Sequence, residues 1–188
     1  MKYLYIKSLE NIEDQIPVFI EVFSTSLNII KYTESSNVLI IYYESSFNEI
    51  SDIVNILIAD LSQNLLVYES IEYKNIEEVD KSIKLFSKIV ETKYIPKKYI
   101  NNHDLLKLSD GNIDENIKKL ILNKYYKNQE IYYTIKMFLE CNQNSSIAAK
   151  ELFLHRNTLN QRLDKFYLET GFNMKHFSDA FLIYPIIK

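Results

Sequence analysis

Asn144-Ser145-Ser146-Ile147-Ala148-Ala149-Lys150-Glu151-Leu152-Phe153-Leu154-His155-Arg156-Asn157-Thr158-Leu159-Asn160-Gln161-Arg162-Leu163-Asp164-Lys165-Phe166 reads as two short helices joined by a tight turn. Ile147, Leu152, Leu154, Leu159, Leu163 and Phe166 recur at three- and four-residue steps, the spacing that places side chains on one helix face. Ala148 and Ala149 fall in mid-helix, where small side chains let a second helix cross closely. Ser145 or Ser146 is the expected cap of the first helix, because a hydroxyl oxygen accepts a bond from an otherwise unpaired backbone N–H. Opposite the apolar seam, the second helix (about 155–169) shows Asn157, Gln161, Asp164 and Lys165, with Thr158 and Asn160 beside them. An outer face of amides, a hydroxyl and flanking arginines is the kind that reads bases in a DNA major groove.

The distribution of arginine sharpens this reading. Of 22 Lys+Arg residues only Arg156 and Arg162 are arginine, and both fall on this helix. A guanidinium fork meets guanine O6/N7 or a phosphate in two bonds at once, where lysine offers a mobile point charge. Arg162 flanks the seam, so a structural ion pair is its alternative role. His155 is expected as a cap or packing residue.

The run Leu152 to Phe166, followed by Glu169-Thr170-Gly171, resembles the C-terminal helix-turn-helix of PucR/CdaR-type bacterial transcription regulators, whose pattern is L-[FY]-x-H-R-N-T-L-x-Y-R-[LI] with Thr-Gly soon after. The resemblance covers roughly 131–187. The related Fis-type helix-turn-helix sets an arginine at the Arg156 position against guanine and a threonine at the Thr158 position against phosphate, and those roles are carried over as expectations. Gln161 stands where the family usually has tyrosine, and Asn160 where a basic residue is common. Phe153 occupies the turn position where many such motifs have glycine. A bulky residue at positive φ is costly, so a glycine-free turn is expected. The set expected at DNA is Arg156, Asn157, Thr158, Asn160, Gln161, Arg162 and Lys165, with Ser145 at the start of the first helix.

Upstream, the chain reads as a second module. Tyr3 to Ile6 begins as a strand, and Pro17 suits the first turn of a helix through Val18, Phe19, Val22 and Phe23. Leu27 to Thr33 and Asn37 to Glu44 form a hairpin pattern. Glu49 to Leu61 is helical, 65–68 a strand, and Ile76 to Val90 a helix with Ile76, Val79, Ile83, Phe86 and Val90 on one stripe. The order βαββαβα predicts an α+β fold: a ferredoxin- or palm-like sheet with helices on one face, followed by an all-α helix-turn-helix bundle. The expected boundaries are 1–92 for the sheet domain, 93–112 for a linker containing Pro96 and Gly111, and 113–188 for the helix-turn-helix domain. Helices are expected over 114–123, 130–141 and 175–184, the last stopping at Pro185, with Gly171 as a left-handed cap after the recognition helix.

Diguanylate-cyclase-like domains share the upstream order, and degenerate forms precede the helix-turn-helix in PucR/CdaR proteins. Their Gly-Gly-Asp/Glu-Glu-Phe hairpin is absent: Thr33-Glu34-Ser35-Ser36-Asn37 lacks the glycines that let phosphate approach and the paired carboxylate for Mg²⁺. No cyclase activity is expected.

Charge divides along the same line. Residues 113–188 hold 11 Lys/Arg and 8 Asp/Glu, a net of +3, whereas 1–112 hold 11 and 17, a net of −6. An acidic module joined to a mildly basic one fits a sensor or scaffold attached to a DNA reader. One cysteine, Cys141, precludes an internal disulfide and suits a reducing cytoplasm. No run of about 18 apolar residues suggests a membrane span, and Glu10, Glu13 and Asp14 come too early for a signal peptide. His103, His155 and His176 have no zinc-like spacing, and no P-loop, Rossmann or G-x-S-x-G pattern occurs. The sequence thus predicts a cytoplasmic, non-enzymatic transcription regulator without cofactor, binding double-stranded DNA as a homodimer. A small-molecule effector has no polar cluster to support it. The alternative is a dimerisation or adaptor protein on the same scaffold that does not bind DNA.

Overall fold

A computed structural model describes residues 1–61, 65–96, 98–109 and 113–188. The chain divides into two compact units, Met1–Asp104 and Leu105–Lys188.

The first unit runs β1 (Lys2–Ser8), α1 (Ile16–Ser24), β2 (Leu27–Ser35), β3 (Val38–Ser46), α2 (Ile50–Leu61), β4 (Leu65–Glu69), α3 (Ile76–Thr92) and β5 (Tyr99–Ile100). Its sheet has the order β2-β3-β1-β4-β5. The first four strands pair antiparallel and β5 joins β4 in parallel. The expected βαββαβα order is present, with β5 added beyond it.

The sheet is covered on both faces, which corrects the expectation of helices on one. Alternate residues of a strand point to opposite faces. Leu4 and Ile6 of β1 meet Phe19 and Phe23 of α1, Val54 of α2 and Val67 of β4 in one buried cluster. Tyr3 and Tyr5 point the other way, toward α3. There the Tyr68 and Phe86 rings stack with centroids 4.0 Å apart, and the Tyr3 and Tyr73 hydroxyls lie 2.7 and 2.6 Å from Ser82 Oγ. The buried residues of α3 are accordingly Val79, Ser82, Phe86 and Ile89, while Ile76 is exposed. Burying such an apolar side chain contributes roughly 1.5–3 kcal/mol, so the face that α3 covers is a second core.

The stretch 93–112, expected as a linker, contains β5 and a helix, α4 (Asn102–Lys107). Tyr68 donates to Asn102 Oδ1 at 2.7 Å. Gly111 lies outside the described residues.

The second unit is helical: α5 (Glu115–Leu122), α6 (Gln129–Glu140), α7 (Ser145–Glu151), α8 (Arg156–Thr170) and α9 (Phe177–Ile187). Its core takes Ile121 from α5, Ile135 and Phe138 from α6, Leu159, Leu163 and Phe166 from α8, and Ile183 from α9. The last helix does not stop at Pro185 as expected, but continues to Ile187. Proline removes one helix hydrogen bond, while the turn that contains it buries Ile186 and Ile187. No helix among the described residues is long and apolar enough to cross a membrane.

Candidate nucleic-acid interface

The two helices of the opening stretch are α7 and α8. The cap of α7 is Asn144, not Ser145 or Ser146: its side chain accepts from the N–H groups of Ser146 and Ile147 at 3.0 and 3.2 Å. Ala148 and Ala149 are buried where the helices cross, as the sequence indicates. Ile147, expected on the seam, is exposed.

The turn is a left-handed one. Leu154 N–H bonds Ala149 O at 2.8 Å and Phe153 N–H bonds Lys150 O at 3.1 Å, the double closure of a Schellman motif. Its C′ residue is Phe153, at φ 54° and 96% exposed. The turn is glycine-free, as expected, and Phe153 takes the positive φ that its bulk makes costly. The hydrogen bonds that satisfy the last carbonyls of α7 require this backbone, and the ring is turned out to solvent.

His155 caps α8, its Nδ1 accepting from Asn157 N–H at 3.3 Å. At the other end Gly171, φ 81°, closes the helix with its N–H on Tyr167 O at 2.8 Å. Leu159, Leu163 and Phe166 are buried, which turns Arg156, Asn157, Thr158, Gln161 and Lys165 outward, all exposed. Among the described residues the Arg156 side chain has no hydrogen bond or ion pair.

Three of the expected contact residues are engaged within the unit. Ser145 Oγ donates to Asn160 Oδ1 at 3.1 Å, joining α7 to α8. Arg162 lies 2.7 Å from Glu130 Oε1 and bonds Thr134 Oγ1 at 3.3 Å, both on α6. Lys150, exposed on α7 beside the turn, is a cation that motif reading passes over.

The electrostatics of the helix starts differ between elements. Helices α3, α5, α6 and α9 carry Asp or Glu in the first turn, which the positive end of the helix dipole favours. Helices α1, α7 and α8 carry none, and α8 alone of these begins with a cation, Arg156. A cation at a helix N-terminus is mildly unfavourable to an isolated fold and favourable toward an approaching phosphate. Among the described residues no cluster of three or more His, Cys, Asp or Glu could hold a metal.

The Uncharacterized protein YxkF of Bacillus subtilis (strain 168) is 46% identical over 57 residues, a match covering 30% of this chain and 19% of that protein. The chain thus spans about a fifth of the length of that relative. The crystal structure of Regulator of Polyketide Synthase Expression from Bifidobacterium adolescentis aligns with 99% of this chain and 77% of its own, at TM-score 0.43 and 14% identity. Residues 132–186, from α6 through α9, match the PucR C-terminal helix-turn-helix domain, and this part of the chain is a domain of that kind.

Proposed function

We propose that the chain is a sequence-specific DNA-binding transcription regulator, with α8 as its recognition helix. The observation that carries this reading is the outward edge from Arg156 to Gln161, whose guanidinium, amides and hydroxyl are exposed at a helix start without acids. Arg156 is assigned to a base edge, Thr158 and Lys165 to phosphates, and Asn157 and Gln161 to the groove floor or its walls. Arg162 and Asn160, held by α6 and α7, position the helix. A single such motif covers little DNA, so two copies are expected to bind half-sites about 34–36 Å apart or a multiple of that.

Selection of genomic fragments by the purified chain, followed by binding titrations between 50 and 200 mM salt, tests the reading. A shared motif should emerge and bind at least ~10³-fold tighter than random duplex, and affinity should fall as salt rises.

A second reading, an adaptor that does not bind DNA, draws on the same internal bonds: Asn160 and Arg162 are engaged inside the unit rather than presented. Absence of salt-dependent binding to any duplex would favour it.

A further inference from the structure

The first unit holds a pocket of about 440 Å³ on the α3 side of the sheet, between the end of β1, the start of β4 and the chain that leaves α3. Its size falls within the range of small-molecule sites. Lys7 and Leu66 are cross-strand partners at its floor. Val90, Ile95 and Pro96 add apolar wall, and Leu9, 80% exposed, stands at its rim.

Three ammonium groups line the same pocket: Lys7, Lys93 and Lys98. Lys7 and Lys93 are partly buried, and among the described residues none of the three ammonium groups has a hydrogen bond or ion pair. A partly desolvated cation without a counter-charge is unfavourable, and an entering anion relieves it. Among the described residues the opposing charges are Glu91, which also lines the pocket, and the C-terminal end of α3, worth roughly half a negative charge. Three positive charges against these leave room for about one negative group. Among the described residues the lining holds no helix N-terminus or glycine-rich loop to cradle a polyphosphate.

We infer that this pocket binds a small monoanion with an apolar body, a carboxylate-bearing molecule whose hydrocarbon part lies on Leu66, Val90 and Ile95 and whose charge meets Lys7, Lys93 and Lys98. The inference does not depend on DNA binding by the second unit.

Amide chemical shifts of the full chain, titrated separately with hexanoate, 1-hexanol and inorganic phosphate, test it. Hexanoate should give saturable shifts confined to residues 7–9, 65–66 and 90–98, with affinity at least tenfold above 1-hexanol and above phosphate. Lys98→Gln, which keeps the backbone carbonyl that accepts from Val67 N–H, and Lys7→Gln should each weaken hexanoate severalfold and leave 1-hexanol unchanged, the remaining spectrum reporting an intact fold. Equal affinity for hexanoate and 1-hexanol, phosphate binding as tightly as hexanoate, shifts centred elsewhere, or indifference to both lysine substitutions would each overturn it.

Discussion

Arg162 on α8 and Glu130 on α6 face each other at 2.7 Å, and the same guanidinium reaches Thr134 on the next turn of α6. One side chain thus joins α8 to the helix beneath it. Glu130 is largely exposed, and an exposed pair contributes at most about 1 kcal/mol. Arg162→Ala also loses the bond to Thr134, so a total of roughly 1–2 kcal/mol is expected. Native-state hydrogen exchange of α6 and α8 amides measures it. A double-mutant cycle with Glu130→Gln should return a coupling of about 0.5 kcal/mol; no coupling would mean that the pair is idle in solution.

On the proposed function, Arg156→Ala is expected to cost on the order of 1–3 kcal/mol of DNA affinity and to relax preference at one base pair. Lys165→Gln should weaken every duplex alike and lower the slope of log affinity against log salt by about 0.9. Anisotropy titrations on the selected site and on variants of it separate the two. Uniform loss with Arg156→Ala would reassign that residue to phosphate.

Phe153→Gly should stabilise the second unit. The ring is exposed, so little packing is lost, while glycine removes a left-handed penalty of about 1 kcal/mol. The thermal midpoint of that unit should rise by a few degrees. An unchanged or lower midpoint would show that the ring makes contacts equal to the relief.

Alkaline pH should unfold the first unit. Burial pushes the Tyr73 hydroxyl up to about 12 and raises Tyr3 and Tyr68 well above the usual tyrosine range. Tyr43 and Tyr99 are raised too, first by burial and then by the Glu69 carboxylate their hydroxyls bond. The fold keeps these groups neutral, whereas an unfolded chain ionises them near pH 10. Their contribution is therefore whole below about pH 10 and is lost as pH climbs past it, for Tyr73 up to about 12. Each deeply buried tyrosine should remove on the order of 1 kcal/mol per pH unit in that window, and the half-exposed Tyr99 less. Absorbance at the phenolate band should rise for these tyrosines together with loss of sheet signal; ionisation while the sheet persists would contradict the burial.

Much of this was legible in the residues. The His155 to Leu159 run identified the helix-turn-helix, and strand and helix periods gave the order of elements in the first unit. The side of the sheet taken by α3 was not read, because a helix's apolar stripe does not say which face it covers. The signal lay in β1, where Tyr3-Leu4-Tyr5-Ile6 has no polar alternation, as in a strand covered on both faces. A two-residue strand such as β5 is too short to show a period. The inward turn of Asn160 could have been found: it sits next to Leu159 and one turn before Leu163, at the margin of the buried stripe. The Asn144 cap was missed by a single position, because asparagine and serine cap equally well.

If α8 reads DNA as proposed, the bond from Ser145 to Asn160 limits how much text one copy can read. With that amide turned toward the neighbouring helix, the outward letters run from Arg156 to Gln161, about 7.5 Å along the axis at 1.5 Å per residue. Steps of 3.4 Å along the duplex make this a word of about two or three base pairs. So short a word recurs throughout any genome, and on the DNA-reading proposal the address must lie largely in the gap between two such words.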